Sequence, residues 1–588
     1  MKVKESTKRH SADVCVIGGG MSGLCAAIAA ARHGAKVVLM QDRPVLGGNA
    51  SSEIRMAIRG AAGKENRESG IIQEFELENI YRNPTMNYSI WDSVLYQSVI
   101  SEENIELLLN CSCLDCETAN GVISEVTGWQ LNSYTFHTVK AKVFVDCSGD
   151  SILAELSGAL YRVGRESREE FDEYAAPESA DKCTMGNTCL IQVRETDHYC
   201  PFKAPDWAYV YPDDESMYLK DHHIQRKSST NFWWIELGGE EDTLRDAQAI
   251  NEELLKVAYG VWDHIKNRGD HGMDNWELEW IGFLPGKRES RRYVGEYILT
   301  QRDLEEGTHF DDAVAFGGWT MDNHNPKGLR HIGYSSTHIK PKVPYEIPFR
   351  SLYSSNIHNL MFAGRNISAT HMAMSSTRVM ATCAVMGQAA GTGAALAIKY
   401  NCQPSGVTKL HIRELQRELL EDGCMIPGLK RNALITSCAE MSHDENAILT
   451  NGVERPFDGC ENTISINDGS SLTLLLSRPA GILRMALDPD FSRNSISLHS
   501  RYQKFAMRAH VFLDEEPLKM PKNLLRSVSI VEISEKGIES CIEISENRKP
   551  RIFHKLKADT VKVVLRNLRS WGGETVNFFA CDVSDAEE

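Results

Sequence analysis

Three glycines near the N-terminus have the spacing of a phosphate-binding turn. Gly18, Gly20 and Gly23 fit the pattern G-x-G-x-x-G between the apolar run Asp13–Ile17 and the Ala-rich segment Leu24–His33. The first glycine permits the turn, the second lets a pyrophosphate approach the backbone, and the third lets a helix pack closely on a strand. The alternative is a glycine-rich packing turn, and the strand–turn–helix context argues against it.

The next apolar run, Lys36–Met40, ends in Gln41 and Asp42. In a nucleotide-binding fold a carboxylate at this strand end accepts a hydrogen bond from a ribose hydroxyl. In this chain the first residue after the strand is a glutamine. An amide oxygen also accepts from a hydroxyl, and Asp42 is adjacent, but the lost charge weakens the contact. Arg43 is near, yet no arginine occupies the strand end itself, which counts against a 2′-phosphate on the ribose.

Five other side chains could move a proton or fix a polar substrate. They are Asp322 and His324 in WTMDNHNP, His371, Arg378, and Arg288 in LPGKRESRRYVG. For the arginines the alternative role is salt-bridge scaffolding, and for each histidine it is a packed or surface position. The sequence does not identify which of the five, if any, moves a proton.

Several elements would position these side chains. The two apolar strands and the helix between them form a βαβ unit of a parallel sheet. Val143–Asp146 and Asn359–Gly364 read as further buried strands, and Ser375–Lys399 as a long helix of small residues. Between them, Ser124–Lys142 alternates polar and apolar residues, which predicts an antiparallel meander.

The predicted fold class is α/β, in three parts. An interrupted Rossmann-like domain covers residues 1–163 and 346–428, with an inserted α+β substrate or cap domain at 164–345 and a C-terminal β-sandwich at 440–588. The insert is rich in Trp, Tyr, Asp and His and has helical periodicity near Leu244–Ile265. Short strand-like runs from SLTLLL to VNFFACDV, including SISLHS and MRAHVFL, predict the sandwich.

Composition excludes some partners. The chain has 588 residues, a net charge of −17 and 16 cysteines, and this acidity argues against nucleic acid or an anionic membrane surface. The basic N-terminus lacks an apolar signal region, and no window reaches the roughly 20 apolar residues of a membrane span. We expect a cytoplasmic protein with a small-molecule substrate, and association into a homo-oligomer stays open.

One group of cysteines could bind a metal. Cys111, Cys113 and Cys116 lie in LLLNCSCLDC, but this segment reads as a strand with Cys116 beyond its end. No fourth ligand follows at a motif spacing. We expect buried thiols and no metal site.

Several separate motifs together resemble a known family. They are DRPVLGGNASSE, VDCSGD, LPGKRESRRYVGEY, PYEIPFRSL and AGRNISATH. On these motifs the chain, over about Asp13–Leu429, resembles the FAD-dependent oxidoreductases of the glutathione-reductase-like group. It is most similar to bacterial members of the branch related to the fumarate reductase and succinate dehydrogenase flavoproteins. The resemblance implies bound FAD.

The resemblance also implies which residues contact the FAD. Gly18, Gly20, Met21, Ser22 and Gly23 would hold the pyrophosphate, with Gln41, Asp42 and Arg43 at the ribose end and Gly47, Gly48 and Asn49 along the path to the flavin. Cys113 would offer its backbone to the adenine, and Ser148, Gly149 and Asp150 would pass near the adenosine. Gly364, Arg365, Ser375, Arg378 and Val379 would meet the ribityl chain and the pyrimidine. A helix N-terminus there would stabilise the reduced flavin.

Two features narrow the enzyme type. The glycine-rich stretch GGNASSEIR carries no redox cysteine pair, and no second strand-bound G-x-G-x-x-G is present. Disulfide reductases and two-nucleotide monooxygenases are therefore disfavoured. We expect hydride transfer between flavin N5 and a small polar substrate, such as a sugar or hydroxy acid, with an unidentified electron acceptor. A monooxygenase or reductase, and a carbohydrate-binding protein with a structural flavin, stay as alternatives.

Six of the tryptophans in the insert are considered for stacking on a sugar, although tryptophan is more often a core residue. They are Trp233, Trp234, Trp262, Trp276, Trp280 and Trp319.

Overall fold

The computed structural model describes residues 6–222, 232–269, 271–432, 437–438, 443–456, 461–479, 481–488 and 510–584. The chain divides into two compact units. The first contains residues 1–62, 85–415 and 496–517, and the second contains 63–84, 416–495 and 518–588.

A five-stranded parallel sheet lies in the first unit. In spatial order its strands are Leu360–Phe362, Val143–Asp146, Val14–Ile17, Val37–Met40 and Ile105–Leu108. The four strands other than Ile105–Leu108 are fully buried, because a parallel sheet is covered on both faces and its strands are apolar throughout. The predicted βαβ unit and the two later strands are confirmed, and the arrangement is that of a Rossmann-like nucleotide-binding fold.

Two helices of the first unit pack with their backbones in contact. They are Met21–Arg32 and Met380–Lys399, called here the first helix and the long helix. A Cβ added to Gly387 would lie 2.1 Å from the Ser22 carbonyl oxygen, and one added to Gly391 would lie 2.1 Å from that of Ala26. The pairs follow the same order in both helices, so the helices are parallel and their N-termini face the same way.

The long helix differs from its prediction. The segment Ser375–Lys399 was expected to be one helix, but Ser375 lies in a separate helix, His371–Thr377, capped by the Thr370 side chain. The backbone of Val379 is extended, and the long helix begins at Met380. A run of small residues contains no stop signal, so the sequence pattern does not reveal this break. The first helix likewise begins at Met21, inside the predicted turn.

A four-stranded sheet confirms the predicted meander. Its strands in order are Ser6–Ser11, Thr135–Lys140, Val122–Gln130 and Cys111–Ala119. Cys116 lies inside the last strand, not beyond its end, because a bulge between Cys113 and Asp115 lets the strand continue. Burial raises the pKa of Cys111 to about 12, as expected for an unreactive thiol.

The remaining elements of the first unit are short strands and helices. The paired strands are Tyr161–Val163 with Arg291–Tyr293, Asn187–Thr188 with Glu236–Leu237 and Gly286–Lys287, Ile191–Glu195 with Trp276–Ile281 and His510–Val511, Ala313–Gly317 with Tyr345–Pro348, and Met321–His324 with Ser336–Ile339. The helices are Tyr88–Ile100, Ile152–Ser157, Arg168–Phe171, Ala247–Asn267, Gln301–Glu306 and Pro404–Gly406. The predicted helical segment near Leu244–Ile265 corresponds to Ala247–Asn267, which packs on an aromatic and aliphatic core.

The second unit contains two antiparallel sheets. One has the order Ser437–Cys438, Leu472–Leu475, Thr560–Ser570, Leu525–Ser534 and Glu539–Ile544, and the other Ile464–Asn467, Thr575–Ser584, Ile482–Leu487 and Arg551–Lys555. Its helices are Ile71–Arg82 and His443–Thr450, while Ile412–Glu421 runs across the boundary of the two units. The predicted strand SISLHS lies outside the described residues, and of MRAHVFL only His510–Leu513 is described.

Contrary to the expectation that no window is apolar enough for a membrane span, the long helix is, among the described residues, sufficiently long and apolar to cross a membrane. Its most apolar window is 94% buried inside the protein, as in the core helix of a folded domain.

Replacing Gly391 with alanine tests the contact between the two helices. The new Cβ would meet the Ala26 backbone, so the helices must separate, and we expect Gly391→Ala to lower the free energy of unfolding by about 3 kcal/mol or more. Urea unfolding measures this loss. Gly406→Ala is the control, because Gly406 has a helical φ of −69° and its Cβ would meet only the Cys402 side chain, at 3.1 Å. Equal losses in both variants would contradict the interpretation.

Candidate active site

A cavity of about 790 Å³ opens at the carboxyl ends of the parallel strands, which is where open α/β sheets bind ligands. One part of its wall is formed by residues predicted to contact the cofactor. These are Gly18, Gly20, Met21, Ser22, Gln41, Asp42, Arg43, Gly47, Gly48, Asn49, Cys113, Ser148, Gly149, Asp150, Gly364, Arg365, Arg378 and Val379. Most of the predicted set is therefore brought together in space.

The three motif glycines have different roles. A Cβ on Gly18 would lie 2.5 Å from the Cys147 carbonyl oxygen, and one on Gly23 would lie 1.8 Å from the Gly18 carbonyl oxygen. Both glycines therefore permit close packing within the protein. A Cβ on Gly20 would approach only the Gly48 Cα, at 3.9 Å. Gly20 thus leaves space at the cavity wall, where a bound pyrophosphate needs close access to the backbone.

Gln41 is occupied within the protein. Its side-chain oxygen accepts from the Gly19 N–H at 2.7 Å, and its amide nitrogen donates to the Val45 carbonyl at 3.0 Å. The side chain is 2% exposed, so it connects the glycine turn to the chain that follows the second strand. Asp42 is more exposed and lines the cavity. Asp42 is therefore better placed than Gln41 to accept from a ribose hydroxyl.

Asp150 belongs to a charged group on the same wall. Its two carboxylate oxygens accept from Arg365 at 2.6 Å and from Lys287 at 2.8 Å, and Ser290 also donates to it. Burial raises the pKa of the Asp150 carboxyl, but Arg365 and Lys287 outweigh burial and hold the pKa below its usual range. Asp150 stays ionised and holds the two cations at the cavity.

Another part of the cavity wall contains a histidine between two carboxylates. His324 Nδ1 donates to Glu236 at 2.6 Å, and its Nε2 lies 3.2 Å from the Asp322 carboxylate. A carboxylate only accepts, so each of these contacts is a hydrogen bond only when the ring nitrogen that makes it carries a proton. Burial raises the pKa of Asp322, but His324 and Arg378 outweigh it and hold that pKa well below its usual range.

Three arginines lie beside this histidine. Arg378 donates to the Asp322 carbonyl at 3.2 Å, while its buried Nε has no hydrogen-bond partner. Arg288 ion-pairs with Glu236 at 3.3 Å and donates to the Trp233 carbonyl at 3.0 Å. Burial lowers the pKa of Arg59 to about 10, partly offset by Asp322. Arg378 also lines the cavity, so its guanidinium is placed to donate to an acceptor there.

Three predicted residues do not line this cavity. Gly23 packs between the first helix and the turn, Ser375 donates to the Met372 carbonyl at 2.6 Å, and His371 is buried. The His371 ring contacts Glu289 at 3.1 Å and Asn323 at 3.0 Å. His371 is therefore a packed histidine that holds the strand carrying Asp322 and His324.

Of the six tryptophans considered for sugar stacking, Trp233 and Trp319 line the cavity. Trp234, Trp262 and Trp276 are core residues, as the alternative interpretation predicted. Trp280 is half-buried and stacks on the Arg55 guanidinium, 4.4 Å from the ring centroid.

Sequence reasoning missed several residues of this wall. They are Arg59, Trp233 as a specific cavity residue, Lys287, Tyr334 and His338, together with Glu236 behind His324. Lys287 lies next to Arg288 in the motif LPGKRESRRYVGEY, whereas the others belong to none of the motifs quoted above. Glu236 and His324 are 88 positions apart in the chain, and only the fold brings them together.

The cavity fits FAD on observations of this protein. Gly20 leaves a space against the backbone, and the N-termini of the first helix and of the long helix both reach the cavity through Met21 and Met380. Helix N-termini and arginine side chains are suited to phosphate and to an anionic ring. Arg365 and Arg378 both have a buried Nε without a partner.

The parallel sheet, the glycine turn and this cavity define an oxidoreductase-type dinucleotide-binding protein. The chain belongs to the FAD dependent oxidoreductase family, whose family model matches residues 13–419. It is therefore an FAD-dependent oxidoreductase. A search of curated proteins finds no significant match.

Solved structures give a weaker likeness. A geranylgeranyl bacteriochlorophyll reductase-like protein from Thermoplasma acidophilum is 14% identical with a TM-score of 0.30, over 71% of this chain and 86% of that chain. The E. coli quinol fumarate reductase FrdA is 10% identical with a TM-score of 0.27, over 92% and 97%. OxyS anhydrotetracycline hydroxylase from Streptomyces rimosus is 10% identical with a TM-score of 0.30, over 70% and 68%. At these scores the likeness gives no information about the substrate.

Replacing Gly20 with valine tests the glycine cradle. Gly20 has φ −71° and ψ −177°, which valine also adopts. We expect Gly20→Val to fold normally and to lose bound FAD, because the side chain fills the space for the pyrophosphate. Flavin absorbance per protein and urea unfolding measure the two effects. In the contrasting variant, Gly18→Ala, a φ of +97° and the nearby Cys147 carbonyl should reduce stability itself. A Gly20→Val protein with full flavin would refute this role.

A pair of variants separates the roles of Gln41 and Asp42. In Gln41→Glu the carboxylate cannot donate to the Val45 carbonyl, so we expect the free energy of unfolding to fall by about 1–3 kcal/mol. Asp42→Asn should leave the stability of the apoprotein unchanged and weaken FAD binding about tenfold, because a charged acceptor is lost. Unfolding curves and FAD titration of apoprotein measure both. Weaker FAD binding in Gln41→Glu, together with unchanged FAD binding in Asp42→Asn, would instead place the ribose contact on Gln41.

Proposed function

We propose that this FAD-dependent oxidoreductase transfers a hydride between flavin N5 and a small polar substrate that carries a hydroxyl group, of the hydroxy-acid or sugar type. The observation that carries this proposal is the chain Glu236–His324–Asp322, with Arg378 beside it, on the wall of the cavity that also contains the glycine cradle. His324 supplies a group that can transfer a proton, and Arg378 supplies a cation beside it.

Some residues of this site would transfer a proton, and others would bind the substrate. Bound FAD supplies an acceptor or donor of hydride. Glu236 fixes the ring of His324 through Nδ1, so the exchangeable proton is the one at Nε2. His324 would give this proton to the substrate oxygen in the reducing direction and take it back in the oxidising direction. Asp322 would stabilise the imidazolium that forms when His324 takes the proton.

The charges favour an acidic substrate over a neutral sugar. Arg288 is paired with Glu236, which leaves Arg59 and Arg378 against the single carboxylate of Asp322. The guanidinium of Arg378, which lines the cavity, would bind one oxygen of a substrate carboxylate. A hydroxy acid has a hydroxyl and a carboxylate at a fixed distance, and it matches the histidine and the arginine together.

The proposal extends to the architecture and the partners. We assign residues 1–163 and 346–428 to FAD binding, 164–345 to an inserted α+β substrate domain, and 440–588 to a β-sandwich, supported by the parallel sheet, the separate small sheets and the two antiparallel sheets. Within the last range, His510–Val511 pairs with Ile191–Glu195 of the first unit.

The sequence motifs support the branch related to fumarate reductase and succinate dehydrogenase flavoproteins. A separate electron acceptor in the cytoplasm would complete the cycle.

Anaerobic flavin bleaching tests the function. The holoprotein is mixed with small hydroxy acids and with sugars, and we expect bleaching by a hydroxy acid. His324→Gln should keep its FAD and lower the rate of bleaching about 10²–10⁴-fold, because general acid–base catalysis is lost. Arg378→Lys should mainly raise the substrate concentration that gives half the maximal rate of bleaching, by about tenfold or more. The reason is that lysine lacks the paired N–H donors of the guanidinium.

Two surface variants serve as controls. His309→Gln and Arg302→Lys each change an exposed residue that pairs with a glutamate, and neither should affect bleaching. Bleaching by no hydroxylated compound, together with NADPH-dependent oxygen uptake, would refute the proposal in favour of a monooxygenase or reductase.

A further inference from the structure

Four potential metal ligands converge in the first unit, and none of them lines the flavin cavity. They are Asp214, His222, His264 and His271, and one ligand atom of each lies within 4.8 Å of all the others. His264 lies in the last turn of the helix Ala247–Asn267. Asp214 and His222 come from the segment before that helix, and His271 from the segment after it.

The distances between the ligand atoms match a tetrahedral zinc site. His264 Nε2 lies 3.3 Å from Asp214 Oδ1 and 3.2 Å from His271 Nε2, and His222 Nε2 lies 3.5 Å from Asp214 Oδ1. Zinc bonds to nitrogen and oxygen of about 2.0–2.1 Å place tetrahedral ligands about 3.3–3.4 Å apart. The four atoms therefore surround a space of the size that one Zn²⁺ occupies.

The ring orientations of two of these histidines are those of metal ligands. His222 Nδ1 donates to the Lys220 carbonyl at 2.8 Å, and His264 Nδ1 donates to the Tyr211 carbonyl at 2.8 Å. A carbonyl oxygen only accepts, so Nδ1 of each ring carries the proton of this bond, and Nε2 is the ring atom that faces the cluster. Metal-bound histidines are held by second hydrogen bonds of this kind.

The surroundings favour a cation in the cluster. His222 and His264 are each 2% exposed, and bringing their lone pairs and a carboxylate together without a cation is electrostatically unfavourable. The C-terminal end of the helix that carries His264 adds a partial negative charge. Gly269 permits the approach of His271, because a Cβ at that position would lie 2.3 Å from His271 Nε2.

We propose that Asp214, His222, His264 and His271 bind one Zn²⁺ in a structural site. Three neutral imidazoles and one carboxylate form a closed tetrahedral set, and zinc accepts nitrogen and oxygen ligands in this geometry. The metal joins the end of the helix Ala247–Asn267 to the segments before and after it. The site is independent of the flavin chemistry.

Metal analysis of untagged holoprotein tests this proposal. We expect about one zinc per chain, removal by a chelator, and recovery when ZnCl₂ is added back. Removal should lower the melting temperature, because zinc that binds only the folded state stabilises it. Apoprotein loaded with Co²⁺ should show the absorption of a tetrahedral site at wavelengths beyond the flavin bands.

Variants identify the ligands. Asp214→Ala changes a side chain that is 56% exposed, so folding should be unaffected, and zinc affinity should fall at least about tenfold. His264→Ala and His271→Ala should lose zinc, with flavin content and circular dichroism as checks on folding. His198→Ala is the control, because His198 is 68% exposed and pairs with Asp197 outside the cluster; it should keep the zinc.

Two results would overturn the assignment. The first is wild-type protein that binds no Zn²⁺ in titration, since the histidines would then share protons and not a metal. The second is an Asp214→Ala or His271→Ala protein that is folded, keeps its flavin and retains zinc with wild-type affinity.

Discussion

The close contact of two helix backbones is the constraint on which the cavity depends. Gly387 and Gly391 of the long helix lie against the carbonyls of Ser22 and Ala26 in the first helix, and no side chain fits between them. The contact is parallel, with Gly387 level with Ser22. The long helix therefore extends about six residues, or about 9 Å, beyond the N-terminus of the first helix. The N-termini of the two helices, which carry partial positive charge, therefore reach the same cavity at different positions along the helix axis.

This offset has a chemical consequence. A dinucleotide cofactor has a diphosphate near its middle and a redox-active ring at one end. The turn at Gly20 provides backbone access near the first helix end, and the break at Arg378 and Val379 exposes the second. If the long helix continued from Ser375 without this break, Arg378 would be one more helical side chain and the second helix end would lie elsewhere.

The local charge of the cavity is opposite to that of the chain. The protein carries a net charge of −17, but the buried carboxylates of the cavity are each matched by cations. Lys287 and Arg365 hold Asp150, and His324 and Arg378 hold Asp322. Depressed pKa values keep these carboxylates ionised at neutral pH, so they fix the cations in place without being available as acids. His324 remains as the group that can exchange a proton.

Local patterns predicted much of the fold, and non-local contacts explain what they missed. The glycine spacing and the apolar runs predicted the parallel strands, since each depends on a few consecutive residues. The same reasoning gave most of the cavity wall around Gly20. The position of Gln41 at the strand end predicted a weakened ribose contact with Asp42 adjacent, and the structure adds that the Gln41 amide accepts from the Gly19 N–H and donates to the Val45 carbonyl. Glu236 could not be found, because its partner His324 lies in a different strand.

The candidate metal ligands also show that spacing in the sequence does not by itself predict which side chains meet. Cys111, Cys113 and Cys116 are close in sequence and lie in one strand with a bulge, where burial raises the pKa of the Cys111 thiol to about 12. The three histidines of the cluster have no motif spacing, and they meet because a 21-residue helix returns the chain to the segment before it. Proximity in sequence predicts a metal site only when the backbone directs the side chains to one point, as a tight turn or one face of a helix does. When the ligands come from the end of a helix and from the segments on either side, the packing of that helix decides whether they meet.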